Sequence, residues 1–261
     1  MKLLITVAAV GLSSLALAQI TLVNGNSTAT IDPTSVEPTI RRGMNSWEVD
    51  GVDQLFQQWY WFRVGNGPER SIDTISAPIV NQTGLNSVTI TYTANTWSMD
   101  LFVTLVGGTN GSGTADVSEI VRITNRGTSA LDFHLFEYDD FDIGGTFGND
   151  TATRLDASSI RQSDGLTSVT VGAVPAASHW QIAEVPTVFD LLDDGVASNL
   201  SDSGSPTGPG DVAFGFQWDA TVAAGGSWIM SKNKVVSTVP EPATMAVLGL
   251  GAAFLARRRR R

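Results

Sequence analysis

Apolar and polar side chains alternate along most of the middle of this chain. The alternation is clearest in 88–93, 131–135 and 212–218, where β-branched and aromatic residues stand at every second position. Successive side chains of a strand point to opposite faces of its sheet, so this period of two predicts half-buried strands. The chain is therefore expected to build sheets that are covered on one face.

Further strands are predicted at 57–64, 96–106, 117–124 and 227–235, separated by turns rich in glycine and asparagine. A short helix is predicted at 187–192, and 201–211 is interpreted as a long loop. Ten or more short strands with short connections favour an antiparallel β-sandwich. A large two-sheet sandwich of the supersandwich type is one form that this prediction allows.

The first 18 residues have the order of a secretory signal peptide. Lys2 is the single positive charge, residues 3–12 are apolar, and Ala16 and Ala18 are the small residues that signal peptidase requires before its cut. We therefore expect export, removal of residues 1–18, and a mature chain that begins at Gln19.

The last 23 residues combine a proline motif, an apolar stretch and a basic end. Both prolines fix φ and lack a donor, so regular structure is not expected to continue through them. As a helix, the uncharged stretch 243–256 would span about 21 Å, which is short of a bilayer core of about 30 Å. A predicted transmembrane anchor therefore needs local thinning or snorkelling side chains. The motif is Val239, Pro240, Glu241 and Pro242, and the stop-transfer block is Arg257, Arg258, Arg259, Arg260 and Arg261.

These three parts, in this order, resemble the PEP-CTERM protein-sorting signal. The resemblance covers residues 239–261. It implies that an exosortase, a membrane protease-transpeptidase of Gram-negative bacteria that make extracellular polysaccharide, recognises Pro240, Glu241 and Pro242. It also implies membrane anchoring before processing, with the basic end in the cytoplasm. The final location would then be the cell surface or the extracellular matrix.

Composition limits what the exported part can do. The whole chain has a net charge of −10, and six of its 16 basic residues lie in the two ends, so residues 19–238 are more acidic still. This excess argues against nucleic acid as a partner. The chain has no cysteine, which excludes thiol catalysis and thiolate metal sites. Its stability therefore depends on packing without disulfide bonds.

The acidic segment 137–150 is a candidate calcium site. Hard cations take oxygen ligands from carboxylates and carbonyls. Asp140, Asp142, Asn149 and Asp150 flank a double-glycine turn and could supply four ligands. The alternative is a solvated strand end, because no EF-hand spacing is present. We expect no other cofactor.

Aromatic residues suggest a second kind of site. Residues 59–62 read Trp-Tyr-Trp-Phe, and Trp59 and Trp61 would share one face of a strand. Exposed tryptophan faces stack on sugar rings, so these two are candidate glycan contacts. Burial in a core covered on both faces is the alternative.

No motif for catalysis is evident. There is no Gly-x-Ser-x-Gly elbow, and the two histidines, His134 and His179, have no metal-site spacing. His134 is expected on the face of its strand opposite Phe133 and Leu135. Pairs of carboxylates suited to glycoside hydrolysis can be found in any acidic domain.

The sequence therefore predicts three regions: a signal peptide at 1–18, a β-sandwich domain at 19–238 and a sorting signal at 239–261. The predicted function is that of an exported surface or matrix protein, non-catalytic and associated with exopolysaccharide in a biofilm. A carbohydrate-binding module is the first alternative, and a glycan-active enzyme is the second.

Overall fold

A computed structural model describes residues 19–34 and 41–238. Its frame is two antiparallel sheets of nine strands each. The prediction of a mostly β, two-sheet antiparallel architecture is confirmed. The signal peptide, with Ala16 and Ala18, and the sorting segment 239–261, with its predicted helix, lie outside the described residues.

The first sheet, sheet A, has the strand order β1-β2-β3-β5-β11-β17-β15, with β4 paired to β3 and β6 paired to β5. Its strands are β1 (Ile20–Asn24), β2 (Ser27–Asp32), β3 (Gly43–Val49), β4 (Val52–Asp53), β5 (Gln57–Val64), β6 (Arg70–Ser71), β11 (Leu131–Asp140), β15 (His179–Glu184) and β17 (Val212–Val222).

The second sheet, sheet B, has the strand order β16-β12-β13-β14-β18-β10-β9-β8-β7. Its strands are β7 (Ile79–Gln82), β8 (Ser87–Thr93), β9 (Trp97–Gly107), β10 (Thr114–Asn125), β12 (Asp150–Arg154), β13 (Ser159–Ser163), β14 (Thr167–Val174), β16 (Thr207–Gly210) and β18 (Ser227–Thr238).

Alternation decides which side chains fill the space between the sheets. On β10, Val117, Val121 and Ile123 are buried, while Ile120 is exposed on the other face. Burial of apolar surface stabilises the fold by about 25 cal/mol per Å². Because the alternation has a period of two, each strand can bury one of its two faces in this way. The core therefore lies between the two sheets.

The outer face of sheet A is also covered in part. The helix α1 (Thr187–Asp193) buries Val188 and Leu192, and the ring of Phe189 packs edge-on against Trp61 and Tyr138. The predicted helix is therefore present, while the predicted loop 201–211 contains the short strand β16. In residues 19–34 and 41–238 we find no helix that is both long enough and apolar enough to cross a bilayer.

Candidate functional site

The outer face of sheet A brings both histidines of the chain together. His134 on β11 stands opposite Asp219 on β17, and His179 on β15 stands opposite Gln217 on β17. Paired residues in an antiparallel sheet point to the same face, and Gln217 and Asp219 are two residues apart on one strand. Three neighbouring strands thus place two imidazoles on either side of one carboxylate.

Each imidazole is held by a carboxylate at its Nδ1 atom. Nδ1 of His134 lies 2.5 Å from Oδ1 of Asp219, and Nδ1 of His179 lies 2.7 Å from Oδ2 of Asp202. The Nε2 atoms approach carboxylates only to 3.6 Å, at Asp132 for His134 and at Asp219 for His179. That separation is too long for a hydrogen bond, so each Nε2 remains available to a ligand.

The shared carboxylate is kept ionised. Partial burial favours the neutral acid, but hydrogen bonds from the Gln217 amide and from His134 outweigh it and hold the pKa of Asp219 below its ordinary value. The side chains of His134 and His179 are 15 % and 31 % exposed, so solutes can reach both.

A buried arginine supports this face from the neighbouring strand β5. Arg63 stands opposite His134 in the sheet. Its guanidinium donates to Glu69 at 2.7 Å, to the carbonyl of Ser198 at 2.6 Å and to Oδ1 of Asn199 at 2.8 Å. These bonds fix the segment after α1 against the sheet, next to the histidine pair.

An open cavity of about 590 Å³ lies at the β15 edge of sheet A, and neither histidine lines it. Asp202, which holds His179, also lines this cavity. Another wall is Trp180, whose ring lies 4.7 Å from the guanidinium carbon of Arg154. The cavity therefore combines an aromatic ring with charged side chains.

The tryptophans predicted as glycan contacts lie elsewhere. Trp59 and Trp61 are 1 % and 0 % exposed. The indole of Trp59 donates to Asp73, and Trp61 lies beneath Phe189 of α1. The structure gives both residues the core position that was the alternative, because η1 (Ile72–Thr74) and α1 cover this part of the sheet. The rings of Trp59 and Trp61 are therefore not available for stacking on a sugar.

The residues predicted to bind calcium separate into two groups. Carboxylate oxygens of Asp140 and Asp142 lie within 4.8 Å of each other and of Asp211, which was not predicted. Asp150 is instead buried, where it accepts hydrogen bonds from the amide of Ile143 and from Gln162. Asn149 accepts a hydrogen bond from Thr146. The candidate cation site is thus Asp140, Asp142 and Asp211.

This carboxylate cluster carries repulsion that a cation would relieve. Burial, followed by the charges of Asp211 and Asp142, raises the pKa of Asp140 to about 7, although a hydrogen bond from Tyr138 opposes the shift. Burial and the charge of Asp211 also raise the pKa of Asp142. Oδ1 of Asp140 is buried and has no hydrogen-bond partner among the described residues.

Sequence reasoning missed the constellation of His134, His179, Asp202 and Asp219. It placed His134 on the correct face of its strand, opposite the buried Phe133 and Leu135. The other three residues were missed because β11 is far from β15 and β17 along the chain, and only the strand order of the sheet makes the three strands neighbours. The occurrence of just two histidines, each on a β-strand, was the one available signal.

Comparison with known protein families matches residues 238–261 to the PEP-CTERM protein-sorting motif. The resemblance noted in the sequence is thereby confirmed, and the chain carries this sorting motif. The motif indicates export and sorting to the surface or exterior, and it implies processing by an exosortase. No curated protein matches the chain in sequence.

Solved structures similar to the fold come from carbohydrate-active enzymes. A bacterial glucoamylase complexed with acarbose aligns with a TM-score of 0.58 and 9 % identity, over 90 % of this chain and 36 % of the glucoamylase. A putative aldose 1-epimerase from Escherichia coli K12 aligns with a TM-score of 0.57 and 10 % identity, over 85 % of this chain and 99 % of the epimerase. A galactose mutarotase-like protein from Lactobacillus casei gives a TM-score of 0.52 and 12 % identity, over 84 % and 100 % of the two chains.

These likenesses correct one expectation. The prediction that the domain is not an enzyme, which rested on the absence of catalytic motifs, is contradicted, because the fold is shared with a glucoamylase and a putative aldose 1-epimerase. At such identities the likeness shows the fold alone, and this chain spans about a third of the glucoamylase. Any activity must therefore be argued from the side chains themselves.

Proposed function

We propose that the exported domain catalyses proton transfer at the anomeric centre of a sugar, with His134 and His179 as the acid–base pair. One observation carries the proposal. Two imidazoles lie on one accessible sheet face, each bound through Nδ1 to a carboxylate, and Asp219 lies between them, bound to His134 and 3.6 Å from Nε2 of His179.

The chemistry requires two groups of this kind. Opening the ring of an aldose needs a base that removes the proton of the anomeric hydroxyl and an acid that protonates the ring oxygen. Imidazole titrates near neutral pH and suits both roles. Asp219 and Asp202 hold a proton at each Nδ1, so the two Nε2 atoms are free to exchange protons with the sugar.

The cavity that is lined by Asp202, the partner of His179, supports a sugar as the ligand. Trp180 offers a partly exposed ring, and Arg154, Asp156 and Asp202 offer polar groups around it. An apolar sugar face stacked on an aromatic ring with polar edges held by side chains is the usual arrangement of such sites. The substrate class is a free aldose or the reducing end of a matrix glycan. The similarity to an aldose 1-epimerase fold agrees with this choice.

Polarimetry tests the proposal directly. The mature protein is added to freshly dissolved pure anomers of several aldoses, and the approach to equilibrium rotation is compared with a blank. We expect the protein to raise the rate of equilibration above the blank. His134→Asn or His179→Asn should reduce the catalysed rate about 10²-fold or more. The control Thr221→Ser alters an exposed residue on the same face of β17 and should keep the wild-type rate. A wild-type rate equal to the blank on every aldose would refute the proposal.

Carbohydrate binding without turnover is the second candidate, favoured by the pairing of Arg154 with Trp180 in the cavity. Calorimetric titration of the host's own polysaccharide would then show binding that Trp180→Ala removes and that His134→Asn leaves unchanged. Absence of heat with every glycan would exclude this candidate.

Sorting of the domain belongs to the same proposal. We infer that signal peptidase removes residues 1–18 and that exosortase acts near Pro240–Pro242, after temporary anchoring by 243–256, to release the domain into an exopolysaccharide matrix. The intact mass of the protein from envelope and medium tests this, because a membrane-bound form that retains residues 245–261 would contradict release.

A further inference from the structure

A group of five ionisable side chains lies wholly between the two sheets. Sheet A contributes two carboxylates and sheet B contributes one carboxylate and two lysines, and all five are at most 3 % exposed. Charges are almost never buried this deeply unless they are paired. The members of this interior cluster are Glu137 and Asp139 on β11, Glu119 on β10, and Lys232 and Lys234 on β18.

One half of the interior cluster is a well-formed ion pair. Lys234 donates to Oε1 of Glu119 at 3.1 Å and to Oε1 of Gln58 at 2.9 Å. The hydroxyl of Tyr60 donates to Oε2 of Glu119 at 2.5 Å. Burial opposes ionisation of Glu119, but the two lysines outweigh it and lower the pKa to about 2.

The other half is not a well-formed ion pair. Lys232 Nζ is in direct contact with Oε1 of Glu137, and both side chains are fully buried. Neither oxygen of Glu137 nor Nζ of Lys232 has a hydrogen bond of acceptable geometry within the described part of the chain. An ion pair removed from water needs such bonds to offset its desolvation, and here they are missing.

We propose that Nζ of Lys232 and Cδ of Glu137 are joined by an amide bond that cross-links the two sheets. The two residues approach from facing sheets, which lie about 10 Å apart in such sandwiches, and their extended side chains meet in the middle. An amide would replace two buried charges by one neutral group. It would also give an exported chain without cysteine a covalent link across its core.

The third residue that bond formation needs is already in contact. Oε2 of Glu119 lies 2.7 Å from Nζ of Lys232. The lone pair of the neutral amine attacks Cδ of the protonated Glu137 carboxyl and forms the C–N bond. Glu119 takes a proton from the nitrogen and returns it to the departing hydroxyl, so the C–O bond breaks and one water leaves. No oxidant or other reactant is required.

The surroundings favour this reaction. Burial lowers the pKa of Lys232 well below its ordinary value, against the pull of Glu119, and so makes the amine nucleophilic. The Tyr60 ring lies 5.2 Å from Nζ and closes one side of the site. Bulk water has little access to this buried site, so reversal by hydrolysis is slow once the released water has left.

Mass spectrometry of the denatured mature protein tests the cross-link. We expect an intact mass one water below that of the same chain without the bond. Trypsin should release a branched peptide that joins 127–154 to 162–234, uncut after Lys232 because its amine is acylated. A linear peptide that ends at Lys232, together with a full intact mass, would overturn the proposal and leave an ion pair only.

Variants separate bond formation from folding. Lys232→Arg keeps a cation but cannot form the amide. Its mass should therefore exceed that of the wild type by the mass difference between arginine and lysine plus the mass of one water. Glu119→Gln keeps the shape but removes the proton acceptor, and we expect a folded protein that has lost most of the cross-link. The double variant Glu137→Leu/Lys232→Met lacks both reacting groups, keeps the buried pair of Glu119 and Lys234, and should fold and show full mass. A wild-type protein that shows the same full mass after correction would contradict the inference.

Discussion

The two faces of β11 place polar residues in different environments. Its inner face carries Glu137 and Asp139 into the space between the sheets, with no exposure. Its outer face carries His134, which remains partly exposed and contacts Asp219 at 2.5 Å. Charged residues on the inner face can only act within the protein, whereas those on the outer face can meet a ligand.

The two faces also differ in what each polar contact contributes to stability. In the interior cluster, each charge has lost its water, so removing one partner leaves another charge unpaired. On the outer face, water replaces a lost partner, and such pairs contribute about 0–1 kcal/mol. Substitutions on the inner face should therefore mainly lower stability, and substitutions on the outer face should mainly lower activity.

Loss of Lys234 should have the largest effect on stability. Lys234→Met leaves Glu119 with weaker compensation in the core, and we expect a loss of about 3–5 kcal/mol in the free energy of unfolding. The matched control is Arg122→Met, which breaks a 2.7 Å pair with Asp100 whose arginine is 45 % exposed and should cost no more than about 1 kcal/mol. Urea denaturation measures both, and equal losses would mean that burial does not decide how much a charge pair contributes to stability.

Asp219→Asn should affect activity more than stability. The amide cannot anchor an imidazolium as the carboxylate does, so we expect anomerisation to slow by about 10²-fold. Asp132→Asn is the control, since Asp132 approaches His134 only at 3.6 Å and its loss should change the rate less than about threefold. Polarimetric rates for the two variants test the difference. Similar rates would show that Asp219 does not orient the histidines.

Calcium should give a smaller stabilisation through the cluster at the end of β11. A cation bound to Asp140, Asp142 and Asp211 adds about 1.4 kcal/mol when its concentration exceeds the dissociation constant about tenfold. Thermal unfolding with calcium and with chelator measures this shift. Asp211→Asn should remove the shift, and Asn149→Ser, outside the cluster, should keep it. A shift that depends on Asn149 instead would favour the set of ligands predicted from the sequence.

Local pattern was enough to predict much of the fold and little of the candidate site. The strand predicted at 57–64 coincides with β5, and the alternation at 131–135 placed His134 on the face opposite Phe133 and Leu135, as observed. The site depends instead on which strands are neighbours. β11, β17 and β15 are adjacent in space but far apart in sequence, so no spacing along the chain could indicate that His134 and His179 share Asp219. Coverage by α1 likewise buried Trp61, which alternation alone leaves on an open face.

The smallest effect is expected at the rim, where Asp50 connects the two sheets through solvent-exposed turns. Asp50, between β3 and β4, accepts hydrogen bonds from the amides of Gly111 and Gly113 between β9 and β10. These two bonds lower its pKa. Its stabilising contribution is therefore present above the unfolded-state pKa of about 3.9 and is lost as pH falls through the lower folded-state pKa.

Asp50→Asn isolates that charge, since asparagine tolerates the positive φ of 51° at this position. We expect the free energy of unfolding of the variant to be slightly below that of wild type at pH 7. In acid the two values should become equal. Urea denaturation at pH 7 and in acid measures both. Asp193→Asn, exposed on α1, is the control and should show no such convergence. A difference that persists in acid would assign the effect to packing instead of charge. The link between the sheets would then reside in the interior cluster and not at the rim.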